Sequence, residues 1–183
     1  MNRPPHSCFS AWLRSARAAS IYRIGALLLS LCVSATAADK LKFEHAFDIG
    51  GEPSFAITQD DDGFLWFSSF FKGLVRYDGT SVKQFSEGPG SISSDFVTQI
   101  YQDRRGIIWI GTNSGLNRYD KQANSFTSFF KDAAHPQTSL ASNTFNLSSR
   151  TIIEDRDSVL WFGTQNGLSR FDRSTQTFAN FWH

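Results

Sequence analysis

The sequence predicts an all-β fold made of repeated four-stranded antiparallel units. Three observations carry that prediction. A pattern of about 22 residues recurs three times in register, which is the mark of a repeat architecture. Aromatic content is 15%, with 18 Phe and 5 Trp against one Met, a bias that suits pleated, half-buried surfaces. Beyond residue 37 the apolar residues show period-two alternation and no helical period.

The copies run from Ile57 to Gly79, from Ile100 to Lys121 and from Ile152 to Arg173. Their anchors are Trp66, Trp109 and Trp161. Six residues before each anchor stands Asp60, Asp103 or Asp155. Three before it stands Gly63 or Gly106, replaced by Ser158 in the third copy. After it come Gly73, Gly115 and Gly167, each followed by Leu, then Arg, an aromatic residue and Asp. The first copy has one extra residue in the loop "SSFFKG", where the second reads "GTNSG". The third has the longer lead-in, "LASNTFNLSSRTII".

Each copy reads as strand, tight turn, strand, turn, strand. "VTQIYQD" alternates with period two. "DRRG" turns the chain, with Asp103 accepting from backbone N–H groups two residues on. Gly106 supplies a left-handed position there. Ser158 in the same conformation costs about 1 kcal/mol. "IIWIG" has no polar interruption and predicts a central strand buried on both faces. A bulge is expected after it, because Leu116 and Tyr119 otherwise point to opposite faces. The Arg-aromatic-Asp ending fits either an ion pair across units or a solvated strand end. "SVKQF", "SFTSFF" and "TFANFW" supply a fourth strand. Four short strands in about 43 residues make the blade of a β-propeller. The expected architecture is therefore a partial β-propeller of three blades, occupying residues 38–183.

Residues 1–37 read separately. Arg3, Arg14, Arg17 and Arg23 precede the apolar run Ile24 to Val33, and Ala35 and Ala37 follow. This is the layout of a secretory signal peptide with cleavage after Ala37. Ten apolar residues fall short of the ~20 that span a bilayer. Cys8 and Cys32 both lie in that segment, so the exported chain is expected to have no thiol and no disulfide. It retains 14 Lys and Arg against 17 Asp and Glu, which disfavours nucleic acid as a partner.

Few residues point to chemistry. "GTNSG" precedes a strand rather than a helix and recurs in each copy, so it is a hairpin and not a phosphate loop. "QDDDG" lacks the spaced carboxylates of a calcium loop. His45, His135 and His183 are scattered, and no metal site or cofactor is expected. No catalytic residue is marked. The candidate ligand residues are Phe70, Phe71 and Lys72, in the loop that departs from the repeat. Phe70 and Phe71 suit either stacking on a sugar ring or packing against a neighbouring blade.

"QDRRGIIWIGTNSGLNRYD" and "EDRDSVLWFGTQNGLSRFD" resemble the two-component regulator propeller repeat. The lead-in "SISSDFVTQI" is similar too. The resemblance implies a periplasmic sensor that reads an extracellular ligand, often a glycan, and passes the signal to a histidine kinase or a diguanylate cyclase. It implies no catalysis in this chain, which is expected to be the N-terminal piece of a longer sensor. The D-x-x-G-x-x-W core is also similar to the Asp-box turns of sialidase propellers, which lack the trailing G-L-x-R-Y-D. A secreted carbohydrate-active or lectin-like propeller is the alternative, as is a binding module that completes its ring by homo-oligomerisation.

Overall fold

The computed structural model describes residues 53–147 and 150–182. The expected signal peptide, with Cys8, Cys32 and Ala37, lies outside the described residues. Twelve strands are described, in three four-stranded antiparallel sheets. Blade 1 holds β1 (Ile57–Gln59), β2 (Leu65–Ser69), β3 (Gly73–Tyr77) and β4 (Val82–Phe85). Blade 2 holds β5 (Val97–Gln102), β6 (Ile108–Thr112), β7 (Gly115–Asp120) and β8 (Ser125–Phe129). Blade 3 holds β9 (Ile152–Glu154), β10 (Leu160–Thr164), β11 (Gly167–Asp172) and β12 (Thr177–Phe181). Strand order within each sheet follows the chain, and β1, β5 and β9 approach one another as the inner strands.

The six-residue spacing from Asp to Trp has a physical cause. In blade 2, Asp103 Oδ1 accepts from the backbone N–H of Arg105 at 2.9 Å and of Ile107 at 3.0 Å. Its Oδ2 accepts from the Trp109 indole N–H at 2.8 Å. Asp60 and Asp155 do the same, with indole contacts of 2.7 Å to Trp66 and 2.7 Å to Trp161. One carboxylate thus holds the turn and satisfies the one polar atom of a ring that is otherwise apolar. Gly63 and Gly106 sit at φ 88° and 75°, and Ser158 occupies the same place at φ 61°.

A second glycine is required by close approach. A Cβ on Gly73 would lie 2.2 Å from the Phe85 carbonyl oxygen, and one on Gly167 would lie 2.8 Å from that of Phe181. The outer strand ends against the hairpin glycine at both places, so no side chain fits there.

Blades pack through the Trp-bearing face. Trp66, Leu74 and Phe85 of blade 1 meet Ile108, Ile110, Tyr119 and Phe126 of blade 2. Trp66 lies 4.9 Å edge-on from Tyr119 and 5.9 Å from Phe85 in a stack. Trp109 and Leu116 of blade 2 meet Leu160, Phe162, Phe171 and Phe178 of blade 3. Burying one indole stabilises by about 4–6 kcal/mol on an area basis, as an upper bound. The lead-ins join these cores: Ile92 fills the first and Leu140 the second. Ser94 Oγ accepts from Phe96 N, and Ser142 Oγ accepts from Thr144 N, so the two lead-ins are equivalent up to that point. The extra residues of the third copy therefore follow Thr144.

Two expectations change. No bulge follows β6, because the β6–β7 register is unbroken from Trp109↔Arg118 to Thr112↔Gly115. The irregularity lies in β5, between Val97 and Gln99. Leu116 and Tyr119 do point to opposite faces, one into each core, because a central strand between two neighbours needs both. The Arg-aromatic-Asp ending is neither an ion pair nor a solvated end in blades 1 and 2. Arg76 Nη1 donates to Tyr119 Oη of the next blade at 2.9 Å, and Arg118 donates to Gln176 of the next blade. Asp78, Asp120 and Asp172 instead accept from the backbone of the following turn. The ion pairs across blades come from the residue after the Asp: Lys121 to Asp62 at 2.5 Å and Arg173 to Asp103 at 2.9 Å.

Asp103→Ala should cost about 3 kcal/mol or more, because it strands a buried indole N–H and removes one of the two acids that pair with Arg173. Asp155→Ala should cost less, as Trp161 is only half-buried; urea unfolding of both variants checks the order. Ser158→Gly should raise stability by about 1 kcal/mol by relieving the positive φ, read as a higher thermal midpoint. Acid should weaken the fold through its turns. The Trp161 indole N–H, then Val159 N–H, holds the Asp155 carboxyl below its ordinary 3.8. The Ser174 hydroxyl and backbone do so for Asp172, and the hydroxyl and backbone of Ser81 do so for Asp78. Depressed folded values give stability that is present above the unfolded pKa and lost as pH falls through the folded one. The urea midpoint should stay level from pH 7 to about 5 and decline below about 4.

Candidate functional site

Antiparallel order places the hairpin tips at 70–72, 113–114 and 165–166 at one end of the blades, with the lead-ins. The Asp turns lie at the other end. Two hairpin tips are short and polar, Asn113-Ser114 and Gln165-Asn166. The tip of blade 1 carries Phe70 and Phe71, 4.2 Å apart between ring centroids.

The structure adds two rings that sequence reasoning missed. Phe55 lies 5.4 Å from Phe70, edge-on. Phe96, on the lead-in to β5, lies 5.7 Å from Phe70 and 5.0 Å from Phe71. Neither is near the hairpin in sequence, and no local pattern singles them out. Phe70 and Phe71 pack on Phe96 in the lead-in of the next blade, while Phe71 remains 63% exposed and Phe55 44%. Phe71 holds φ at 52°, a conformation a bulky residue rarely adopts. Lys72 is exposed at the rim; its carbonyl accepts from Gln84 Nε2 at 2.5 Å, which anchors the extra residue of this loop. An exposed aromatic platform of this kind offers flat apolar faces, suited to stacking on a ring that also carries polar groups.

A groove of about 490 Å³ runs along the inner strands, with Gln59, Gln99, Tyr101, Arg150, Ile153 and Glu154 on its walls. Burial, then the Glu154 carboxylate, pushes the Tyr101 phenol up. Arg173 bridges Asp103 and Glu154 at 2.9 and 3.3 Å behind this wall, so these acids are structural. Among the described residues no three His, Cys, Asp or Glu are grouped to hold a metal ion. No helix among them is long and apolar enough to cross a membrane.

Residues 91–114 and 140–166 match the two component regulator propeller family. These segments are two component regulator propeller repeats. Each match starts in a lead-in and ends at a hairpin tip, so this repeat includes the segment that plugs the core between blades. The aromatic hairpin of blade 1 lies outside both matches. Among solved structures, the chain is similar to the extracellular domain assigned to a hybrid two component system of B. thetaiotaomicron, at 31% identity and a TM-score of 0.62. That match covers 70% of this chain and 18% of the other. A B. thetaiotaomicron extracellular domain assigned to a one component system (22% identity, TM-score 0.54, 71% of this chain and 18% of that one) shares the fold. So does virginiamycin B lyase of Staphylococcus aureus (17%, TM-score 0.51, 74% and 43%). A curated relative, "Histidine kinase P4" of Formosa agariphila, is 34% identical over 86 residues, which is 41% of this chain and 6% of that protein. The chain thus spans 18% of the first of these solved domains and 6% of the curated relative.

Proposed function

We propose that this chain is an exported, ligand-sensing propeller segment of a two-component signalling protein, acting by binding in the periplasm and not by catalysis. In this reading residues 1–37 direct export and are removed after Ala37, and a histidine kinase elsewhere in the protein carries the output. The likeness at 31% identity to an extracellular domain of a hybrid two component system supports the sensor role. The observation that carries ligand binding is the platform of Phe55, Phe70, Phe71 and Phe96, with Lys72 at its rim. Its exposed rings and its strained Phe71 have no counterpart in the other two hairpins. Strain at an exposed side chain persists where function requires that geometry. The proposed ligand is a glycan, whose sugar rings present apolar faces to stacked aromatics.

Calorimetric titration of oligosaccharides into the full-length protein tests this. Phe71→Ala should weaken binding about fivefold to tenfold, the worth of one aromatic contact of about 1 kcal/mol. Its unfolding free energy should stay within about 1 kcal/mol of the parent, because Phe71 lies outside both cores. Unchanged affinity in a Phe70→Ala, Phe71→Ala double variant would remove the platform from the site. Export is checked by a fused phosphatase that is active only in the periplasm, and the recovered chain should begin at Ala38.

A further inference from the structure

The two junctions between blades differ in what fills them. At the junction of blades 2 and 3, Arg173 Nη1 donates to Asp103 Oδ2 at 2.9 Å and its Nη2 to Glu154 Oε1 at 3.3 Å. At the junction of blades 1 and 2, Lys121 stands at the place of Arg173 and Asp60 at the place of Asp103. Lys121 turns away to Asp62, at 2.5 Å, and among the described residues no base bonds to Asp60. Two replacements account for the difference. Gln102 takes the place of Glu154, so no second acid draws the base inward. Asp62 takes the place of Arg105, so an acid draws it outward. What remains is a cavity of about 200 Å³ at the Asp-turn end, walled by Asp60, Phe64, Arg76 and Tyr119, with the exposed pair of Asp62 and Lys121 at its rim.

Two charges face this cavity without a counter-charge. Asp60 is 5% exposed and accepts from the backbone N–H groups of Asp62 and Phe64 and from the Trp66 indole. Asp103 makes the same three bonds and still accepts a fourth, from Arg173, so Asp60 keeps one acceptor position that the fold is able to use. Arg76 pairs across the strands with Trp66, and its guanidinium lies 4.7 Å over the Phe64 ring. Its Nη1 donates to the neutral Tyr119 hydroxyl at 2.9 Å, and among the described residues no carboxylate bonds to it. The remaining charges, Asp62 and Lys121, neutralise each other. A cation in the cavity would satisfy Asp60 and sit beside Arg76. An anion would do the reverse. A molecule that carries both charges satisfies both groups, and a largely buried charge gains most from such a partner.

We propose that this cavity binds one free α-amino acid, its ammonium donating to Asp60 Oδ2 and its carboxylate accepting from Arg76. The ammonium takes the part that the Arg173 guanidinium plays at the other junction. The volume lies below the roughly 300–1,000 Å³ of sites for drug-sized ligands, so a single small molecule of this class fits and an oligosaccharide does not. The rings of Phe64 and Tyr119 favour an apolar side chain. The cavity is at the end of the blades opposite the aromatic hairpin, and the inference stands apart from the glycan reading.

The probes are L-alanine, propionate and ethylamine, the last two being alanine without its amino or its carboxyl group. Each is titrated into the full-length protein carrying nitrogen-labelled tryptophan. L-Alanine should shift the Trp66 indole N–H resonance, because that N–H shares Asp60 Oδ2 with the ligand. The Trp109 resonance should stay still, because Arg173 already takes the matching carboxylate. Propionate and ethylamine should bind about tenfold more weakly or worse, each losing one charge-assisted contact. Arg76→Gln should weaken alanine binding by about tenfold for the same reason. Asp62→Arg with Gln102→Glu and Lys121→Arg installs the residues of the second junction, and the introduced guanidinium should close the cavity and abolish the response to alanine. Should that triple variant not fold, Arg76→Gln alone decides. An unmoved Trp66 resonance, equal binding of either fragment, or undiminished alanine binding by a folded variant overturns the proposal.

Discussion

The bond from a turn carboxylate to a tryptophan indole is the constraint on which the rest of the structure depends. Asp103 closes a five-residue turn through two backbone N–H groups and spends its other oxygen on Trp109. The bond ties the turn between the first two strands to the centre of the second. The indole is thereby fixed in orientation and left without a polar atom to satisfy, so the whole ring can be covered by a neighbouring sheet. A free indole N–H in a dry interface would cost about 1–3 kcal/mol, enough to undo much of the benefit of burying the ring.

From this clasp the packing between blades follows. Trp66 and Trp109 each take edge-on contacts from aromatics of the next blade, with Tyr119 at 4.9 Å and Phe171 at 5.2 Å. The same acid then gains a second use. Arg173 reaches Asp103, so one carboxylate holds its own turn, its own Trp and the following blade. Blade 1 divides these tasks, with Asp60 on Trp66 and Asp62 on Lys121. Lead-in residues Ile92 and Leu140 complete the interior, which explains why the family repeat begins upstream of the first strand.

The candidate site uses what the clasp leaves free. Packing demands act on the sheet faces and on the Asp turns, whereas the hairpin tips at the opposite end are tied to the lead-ins by backbone hydrogen bonds, such as Asn113 N–H to Phe96 O and Gln165 N–H to Thr144 O. The extra residue in blade 1 is tolerated there, and it turns Phe71 outward at a positive φ. The departure of "SSFFKG" from the repeat is visible in the sequence. The platform is not, because Phe55 and Phe96 reach it from other segments.

The sequence by itself determined the repeat, its strand order and its turns, because those rest on local chemistry: an Asp two and four residues before the N–H groups it accepts, a glycine or Ser158 at a left-handed position, alternation across a pleat. It also singled out the hairpin of Phe70 and Phe71. Tertiary structure alone decided where the cations go. Arg76 and Arg118 bond to neutral groups while Lys121 and Arg173 find the acids, since the outcome depends on which side of the pleat each faces and on the distance to the next sheet. It decided likewise that β6 needs no bulge, as a strand between two neighbours buries both faces and gains from Leu116 and Tyr119 pointing apart. Contacts between residues 43 or more apart, such as Arg76 with Tyr119, carry no local trace. They are set by the stacking of whole blades.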